Sequence, residues 1–193
     1  MPSEETQSAG ANDQEQYLVF HLKRQPYGVP ILCVKEILQY SPVTVVPRTP
    51  DYLAGVINLR GSVVPVIDLG CLLDARPSEI TKRSCIVIVE AQVQSEAAAA
   101  SASNEAPPVA LEAGLIVDLV DQVIDLPPGE IESKPAVGIG ERARFILGMG
   151  RYGEGFAILL DLDVILGPEE IQIVATQAQD LQGLVPVDRK EIT

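Results

Sequence analysis

Residues that could carry catalysis are few in this sequence of 193 residues. The only histidine, His21, lies in the apolar run Tyr17-Leu-Val-Phe-His-Leu, with no nucleophile or orienting acid close to it in sequence. A catalytic histidine needs such a partner within hydrogen-bond reach. We therefore interpret His21 as a structural residue of a strand, and a single histidine excludes a multi-histidine metal site.

A glycine-rich segment, Gly148-Met-Gly-Arg-Tyr-Gly, matches the GxGxxG pattern of dinucleotide-binding loops. That motif requires a strand before it and a helix after it, so that the helix N-terminus meets the pyrophosphate. Here the β-type run Gly155-Phe-Ala-Ile-Leu-Leu follows the glycines. The pattern predicts a β-hairpin turn rather than a nucleotide site, and we expect no cofactor.

Two carboxylates, Asp68 and Asp161, each end an apolar run in an Asp-Leu dipeptide. An enzyme that uses either carboxylate is one alternative function. Asp at the end of a strand more often caps a turn, and we favour that interpretation. Asp118, Asp121 and Asp125 are expected on the solvent side of a strand pair, so we expect no metal site there.

The cysteines indicate reduced thiols. Cys33, Cys71 and Cys85 have spacings that match neither a zinc site nor a redox CxxC pair, and their number is odd. Each lies in an apolar segment. We expect all three to be buried and to serve packing.

The net charge is −13 and is unevenly distributed. Residues 17–90 carry eight bases against six acids, whereas residues 111–171 carry four bases against twelve acids. An acidic chain without a basic stripe argues against nucleic acid and anionic membranes as partners. The asymmetry would suit a protein that binds two different protein partners.

Nothing in the sequence predicts a membrane segment. No apolar run approaches the roughly 18 residues that a membrane span needs. The N-terminus, MPSEETQSAGANDQEQ, lacks the basic and apolar regions of a signal peptide. We expect a cytoplasmic protein with no direct membrane insertion.

The elements that must position these residues are short strands. Most apolar runs have four to eight residues, are rich in Val and Ile, and are bounded by Gly, Pro, Asn or Asp, which predicts an all-β domain. The run Val29–Tyr40 also fits a helical stripe, but Pro30 and Pro42 favour one strand that continues into a second. Outside the core we expect a disordered acidic tail (1–16), the Ala- and Ser-rich segment 91–110, and a C-terminal tail (172–193) with some helix around Gln172–Gln182.

The sequence contains an internal repeat. Gly28–Leu38 matches Gly114–Ile124 at an offset of 86, and Val66–Leu69 matches Leu159–Leu162 at an offset of 93. Two copies of one supersecondary unit predict two similar subdomains. We place them at about 17–75 and 84–171, with 91–110 as a surface hairpin-loop insert in the second.

One arginine is displayed in an unusual position. The segment Asn58-Leu-Arg-Gly lies between two apolar strands, so Arg60 is expected at a hairpin whose turn is made by Gly61. A planar guanidinium there suits a carboxylate partner or a hydrogen-bonded interface. A solvated turn arginine is an equally good interpretation of the residues alone.

At this segment the sequence resembles the CheW family of chemotaxis coupling proteins. The resemblance rests on GVINLRGSVVPVIDL (Gly55–Leu69) and on collinear motifs before and after it, over about residues 17–171. It implies two packed five-stranded SH3-like barrels, with short helical pieces near the C-terminus. It also implies a non-enzymatic adaptor that binds the regulatory domain of a CheA-type histidine kinase and the cytoplasmic signalling tip of chemoreceptors.

The resemblance also implies which residues form the receptor- and kinase-coupling surface. Arg60 and Gly61, with Asn58 and Gly55, would lie at or support it, while Val34 and Glu36 would line the receptor-contacting region. A small-ligand-binding β-barrel is the other alternative function. The motility output, the cognate kinase and the division of these residues between receptor and kinase stay open.

Overall fold

The protein is described from a computed structural model, which defines residues 15–74, 76–93, 109–133 and 140–167. These residues form a strand-rich fold, as predicted. The strands are β1 (Glu15–Leu22), β2 (Gln25–Pro30), β3 (Val34–Gln39), β4 (Leu53–Leu59), β5 (Ser62–Asp68), β6 (Cys85–Val93), β7 (Val109–Val117), β8 (Leu119–Leu126), β9 (Ile131–Ser133), β10 (Ile146–Tyr152) and β11 (Gly155–Leu160). The helices are α1 (Leu69–Asp74) and α2 (Leu162–Ile165), with 3-10 turns at Ile31–Cys33, Pro128–Glu130 and Gly140–Phe145.

The strands form two sheets with the same internal order. Sheet A has the order β8-β1-β2-β11-β10-β9, and sheet B has the order β3-β6-β7-β5-β4. Strands β8, β1, β2, β11 and β10 therefore correspond to β3, β6, β7, β5 and β4, and β9 is an additional short strand. Each sheet contains one parallel pair, in which Leu159 lies opposite Gly28 in sheet A and Val66 lies opposite Gly114 in sheet B. These pairs are equivalent under the sequence repeat, which the topology thus reproduces.

The two sheets do not follow the order of the chain. Strands β1 and β2 belong to sheet A, β3 to β7 to sheet B, and β8 to β11 to sheet A again. The predicted division at 17–75 and 84–171 therefore does not separate the sheets. The reason is that each repeat copy contains a crossover: Gly28–Leu38 passes from β2 to β3, and Gly114–Ile124 passes from β7 to β8. The prediction assumed that each copy stays within one sheet.

The boundaries of two predicted non-core segments also need correction. Strand β1 begins at Glu15, inside the predicted tail 1–16, and Gln16 pairs with Asp125. Strands β6 and β7 extend into the predicted insert 91–110, where Ala91 lies opposite Leu111. Composition was a poor criterion there, because Ala91 is buried and a small side chain still fits a packed core. Residues 1–14, 94–108 and the helix predicted around Gln172–Gln182 lie outside the described residues.

Apolar side chains fill three places. The largest cluster lies between the sheets and takes alternate residues of β1 (Leu18, Phe20, Leu22) together with Val87, Val89 and Leu115 of sheet B and residues of both helices. Tyr17, just before them in β1, faces the other way and joins a cluster with Leu126 and Leu159 inside sheet A. Val66, Ile86, Ile88 and Ile116 fill the inside of sheet B. Each such side chain stabilises the fold by about 1.5–3 kcal/mol when fully buried.

The three cysteines are free thiols, as predicted, but they are half-buried rather than fully buried. Burial raises the pKa of the Cys33 thiol, and nearby Asp163 and Glu90 raise it further. Burial likewise raises the pKa of Cys71, with a contribution from Asp68. These thiols are therefore poor nucleophiles near neutral pH. Among the described residues, no helix is long and apolar enough to cross a membrane.

Candidate functional site

The hairpin between β4 and β5 presents a charged turn. Leu59 pairs with Ser62, which leaves a two-residue loop of Arg60 (φ 52°) and Gly61 (φ 95°). Two positive φ angles are the signature of a type I′ turn, which matches the twist of the flanking strands. Asn58 Oδ1 accepts a hydrogen bond from the Gly61 N–H at 2.9 Å. The sequence Asn-Leu-Arg-Gly thus builds the turn and places Arg60 at its tip, as predicted.

Arg60 forms an ion pair with a residue from the opposite edge of sheet B. Its Nη2 lies 3.0 Å from Glu36 Oε2, and Glu36 belongs to β3 whereas Arg60 follows β4. The pair therefore links the two edge strands, which a bridge between Thr44 and Val56 also helps to bring together. The Arg60 side chain is 82% exposed. An exposed pair of this kind contributes only about 0–1 kcal/mol to stability, and most of the guanidinium stays accessible.

The structure brings four of the six predicted coupling residues together: Arg60, Gly61, Asn58 and Glu36. Gly55 lies toward the other end of β4. Its φ is 151°, and a Cβ there would lie 2.3 Å from the Thr44 carbonyl oxygen. Only glycine fits this approach of the segment around Thr44 to β4.

Val34 occupies a different place from the hairpin tip. It begins β3, lies opposite Val89, and is half-buried against the cluster between the sheets. A register shift lies between Val34 and Glu36, so that Glu36 lies opposite Ile88, a residue of the cluster inside sheet B. Val34 therefore supports the strand from the cluster between the sheets, whereas Glu36 holds Arg60.

Sequence reasoning missed one exposed apolar residue beside this strand. Leu32 is 95% exposed and lies in the 3-10 turn at the crossover from β2 to β3. It lines a cleft of about 530 Å³ with Pro30, Ile31, Cys33, Glu15, Gln16 and Asp125. The available signal was Pro30, which interrupts the apolar run and allows a turn in which the middle residue points outward.

The acids considered as catalysts are structural. Asp68 Oδ1 accepts hydrogen bonds from Gly70 N at 2.8 Å and from Ser78 Oγ at 2.7 Å, and Oδ2 accepts one from Ser78 N at 3.0 Å. Asp161 Oδ1 accepts one from Val164 N at 3.2 Å. Both aspartates therefore cap the helices that follow β5 and β11, as predicted. The GxGxxG segment is also a hairpin, because Tyr152 pairs with Gly155.

Asp118, Asp121 and Asp125 each accept a hydrogen bond from a different part of the fold. Asp121 accepts a hydrogen bond from Tyr152 Oη, and Asp125 accepts one from Gln16 Nε2; both are exposed, as predicted. Asp118 is half-buried and accepts one from the Lys23 N–H at 2.7 Å. Within the described ranges no group of His, Cys, Asp and Glu could hold a metal ion.

Two interlocked barrels with a charged hairpin tip define the class of this protein. The family model described as CheW-like domain matches residues 16–170. The chain belongs to the CheW-like domain family. Its fold of two SH3-like barrels is confirmed, with β9 as a sixth strand in one sheet.

Known relatives agree with this assignment. The chemotaxis protein CheW of Klebsiella aerogenes is 30% identical over 171 residues, which cover 89% of this chain and 93% of the relative. The chemotaxis protein CheW of Treponema pallidum is 28% identical, with 85% and 89% covered. The crystal structure of the scaffolding protein TtCheW from Thermoanaerobacter tengcongensis superposes with a TM-score of 0.66 at 28% identity, covering 86% of this chain and 96% of that one. The chain is thus similar over most of its length to chemotaxis proteins of the CheW type, one of which is described as a scaffolding protein.

Proposed function

We propose that this protein is a cytoplasmic adaptor that couples chemoreceptors to a CheA-type histidine kinase. It would hold the regulatory domain of the kinase and the signalling tip of the receptor at the same time. Such an adaptor works through a coupling free energy: a receptor state that changes one contact biases the other. Family membership supports the proposal, as do the relatives' names and the scaffolding role stated for the solved relative.

The exposed guanidinium at the tip of the β4–β5 turn is the observation that supports a contact site. We call Arg60, Gly61, Asn58 and Glu36 the coupling surface, with Gly55 and Val34 as its supports. The Arg60–Glu36 pair adds little stability because Arg60 is so exposed. Its consequence is positional: it restricts the guanidinium to one orientation while leaving donors for a carboxylate or carbonyl of a partner.

An apolar contact complements this charged one. Leu32 lies two residues before β3 and is almost fully exposed. Strand β3 also carries the coupling-surface residue Glu36. An exposed leucine above a cleft suits the apolar face of a partner helix. A helical receptor tip would therefore meet Leu32, and Arg60 would make the polar contact that fixes its register.

The adaptor proposal is tested by measuring whether the protein co-elutes with a CheA regulatory domain and with a receptor signalling fragment. We expect both to bind with dissociation constants of about tens of micromolar, a typical range for transient partners. We also expect the adaptor to make kinase activity depend on the receptor fragment. If neither partner binds in this range, the adaptor proposal is wrong.

A charge exchange separates partner contact from intramolecular structure. Arg60→Glu should abolish coupling, and so should Glu36→Arg, since each breaks the ion pair. The double variant restores an ion pair with reversed geometry. If Arg60 contacts a partner, the double variant stays uncoupled; if the pair is only structural, coupling returns. Arg151→Glu, at an exposed arginine of the other sheet, is the matched control and should couple normally.

Neither alternative function gains support. The carboxylates of Asp68 and Asp161 are engaged as helix caps, so an enzyme built on them would first have to break the fold's own contacts. The insides of both barrels are filled by apolar side chains, which leaves a ligand-binding barrel without its defining feature.

A further inference from the structure

The cleft beside Leu32 offers apolar surface that no described residue covers. We call it the Leu32 cleft. Its lining residues are Glu15, Gln16, Pro30, Ile31, Leu32, Cys33 and Asp125, and its volume is about 530 Å³. Because Leu32 is 95% exposed, the cleft and this side chain together present the kind of surface on which an amphipathic helix packs.

The topology of sheet A brings the later part of the chain to this cleft. Strand β11 runs parallel to β2, with Leu159 opposite Gly28. The two strands therefore end on the same side of the sheet, and β2 ends at Pro30, a residue of the Leu32 cleft.

Helix α2 keeps the chain on this side. It packs against β6, as does the 3-10 turn Ile31–Cys33. Burial raises the pKa of the Cys33 thiol, and the nearby Asp163 carboxylate of α2 raises it further. The Gly167 N–H, at the end of the described chain, donates to the Val164 carbonyl oxygen at 3.2 Å. The segment that follows Gly167 therefore starts close to the Leu32 cleft.

The sequence of that segment has the pattern of an amphipathic helix. Its apolar stripe consists of Ile171, Val174, Ala175, Ala178 and Leu181. This is the i, i+3, i+4, i+7 spacing of one helix face, and Ile173 is the only large apolar residue of residues 171–182 outside it. Pro168-Glu-Glu suits the first turn of a helix, and Gly183 suits its end. A helix of about 12 residues is marginal in water, so this stripe needs a surface on which to pack.

The other segments outside the described residues do not suit the cleft. Residues 1–14 precede Glu15, which lines it, and residues 94–108 follow β6. Neither segment contains Leu, Ile, Val or Phe. They therefore lack the side chains that would remove Leu32 from water.

The charges of the cleft are compatible with the C-terminal segment. Glu15 accepts a hydrogen bond from Tyr17 Oη at 2.6 Å, and Asp125 accepts one from Gln16 Nε2 at 2.8 Å. Residues 171–179 carry no charged side chain. The stripe can thus approach both carboxylates without repulsion.

We propose that residues 171–182 form a helix that docks on the Leu32 cleft of the same chain. A tethered segment acts at an effective concentration of about 1 mM or more, so a weak contact is enough to populate the docked state. The consequence rests on the proposed function: if a receptor helix uses Leu32, the docked segment competes with it and lowers receptor affinity until it is displaced.

Docking is tested by amide hydrogen exchange on the full chain. We expect residues 172–182 to exchange about tenfold more slowly than an unstructured chain, at a rate independent of protein concentration. Leu32→Ser should remove this protection. Val45→Ser, at a residue that is 74% exposed and outside the cleft, is the matched control and should retain it. Both residues are exposed, so unchanged thermal midpoints will show that the variants fold.

A second pair of variants tests the face of the helix. Ile171→Asp lies on the apolar stripe, whereas Ile173→Asp makes the same change outside it. The first should abolish protection and shift the Leu32 methyl resonances, and the second should do neither. About tenfold protection means that the cleft is free about one tenth of the time, so Ile171→Asp should bind the receptor fragment about tenfold more tightly.

Several results would overturn the proposal. These are exchange of residues 172–182 at unstructured rates, protection that survives Leu32→Ser, or equal loss in Ile171→Asp and Ile173→Asp. Protection that grows with protein concentration would assign the contact to a second copy. Unchanged receptor affinity in Ile171→Asp would exclude the competition. A receptor fragment that binds no variant would contradict the proposed function instead, because the exchange measurements decide docking without a receptor.

Discussion

The two sheets have one strand order but two different hairpin tips. In sheet B, the β4–β5 turn has positive φ angles at Arg60 and Gly61, and Arg60 closes the barrel edges through Glu36. In sheet A, the β10–β11 turn has a positive φ only at Gly153, which is the type II′ pattern, and Tyr152 donates to Asp121 instead. Strand pairing and core packing thus preserve the common architecture, whereas the solvent-facing turns are free to differ and carry the specific chemistry.

The sheets differ also in how firmly the following helix is attached. In sheet B the Asp68 carboxylate bonds both to the start of α1 and to Ser78 beyond its end. In sheet A, within residues 140–167, Asp161 Oδ1 accepts one long bond from Val164 N. Among the described residues the first Asp-Leu dipeptide therefore makes more contacts than the second, because Ser78 also closes the loop onto Asp68.

The largest losses of stability should follow substitution of the equivalent bulge glycines Gly55 and Gly148. A Cβ at Gly55 would lie 2.3 Å from the Thr44 carbonyl oxygen, and φ there is 151°. At Gly148 the nearest backbone atom is 2.7 Å away. We expect Gly55→Ala to lower the free energy of unfolding by about 3 kcal/mol and Gly148→Ala by about 1–2 kcal/mol, measured in urea. Gly129→Ala, with open space around it, is the control; a reversed order would contradict the comparison.

The helix caps should give the next largest losses of stability. Asp68→Ala leaves several donors unpaired in a buried site, so we expect a loss of about 3 kcal/mol in unfolding free energy. Asp161→Ala removes a single cap bond and should cost about 1 kcal/mol. Urea denaturation measures both. Equal losses would show that the Ser78 contacts add nothing.

The hairpin tips should respond in opposite directions. Arg60→Asn places a residue that tolerates positive φ in the type I′ turn, and we expect a gain of about 0.5 kcal/mol after the exposed ion pair is lost. Gly153→Arg places a side chain at a φ of 57° and should cost about 1 kcal/mol. Thermal midpoints report both. A strongly destabilising Arg60→Asn would mean that the Glu36 pair is needed for folding.

The smallest expected effect depends on pH. Burial raises the pKa of the Asp163 carboxyl, and Asp161 raises it further; the equivalent position in sheet B is Gly70. The unfolded chain thus loses this proton at lower pH, so the folded state loses stability as pH rises from the ordinary pKa of about 3.8 to the raised value. Asp163→Asn should raise the thermal midpoint at pH 7 and leave it unchanged at pH 3. A shift of equal size at both pH values would exclude a titration effect.

Local features and the internal repeat could be predicted from the sequence, but the pairing of the strands could not. The Arg60–Gly61 turn, the caps at Asp68 and Asp161, and the hairpin at Gly148–Gly153 each depend on a few adjacent residues. The exchange of strands between sheets depends on pairings such as Gly28 with Leu159, which no local pattern specifies. The same holds for Glu36 as the partner of Arg60, and for the Leu32 cleft, whose residues come from three distant segments.

The interleaved sheets impose an order on synthesis. Residues 34–117 supply every strand of sheet B, so that sheet can close while the chain is still emerging from the ribosome. The first hairpin must wait: Gln16 bonds Asp125, 109 residues later, and β2 needs β11 as its neighbour. Until then β1 exposes the apolar face that will join the central cluster. A single cut of the chain therefore cannot release two fragments that each contain one complete sheet.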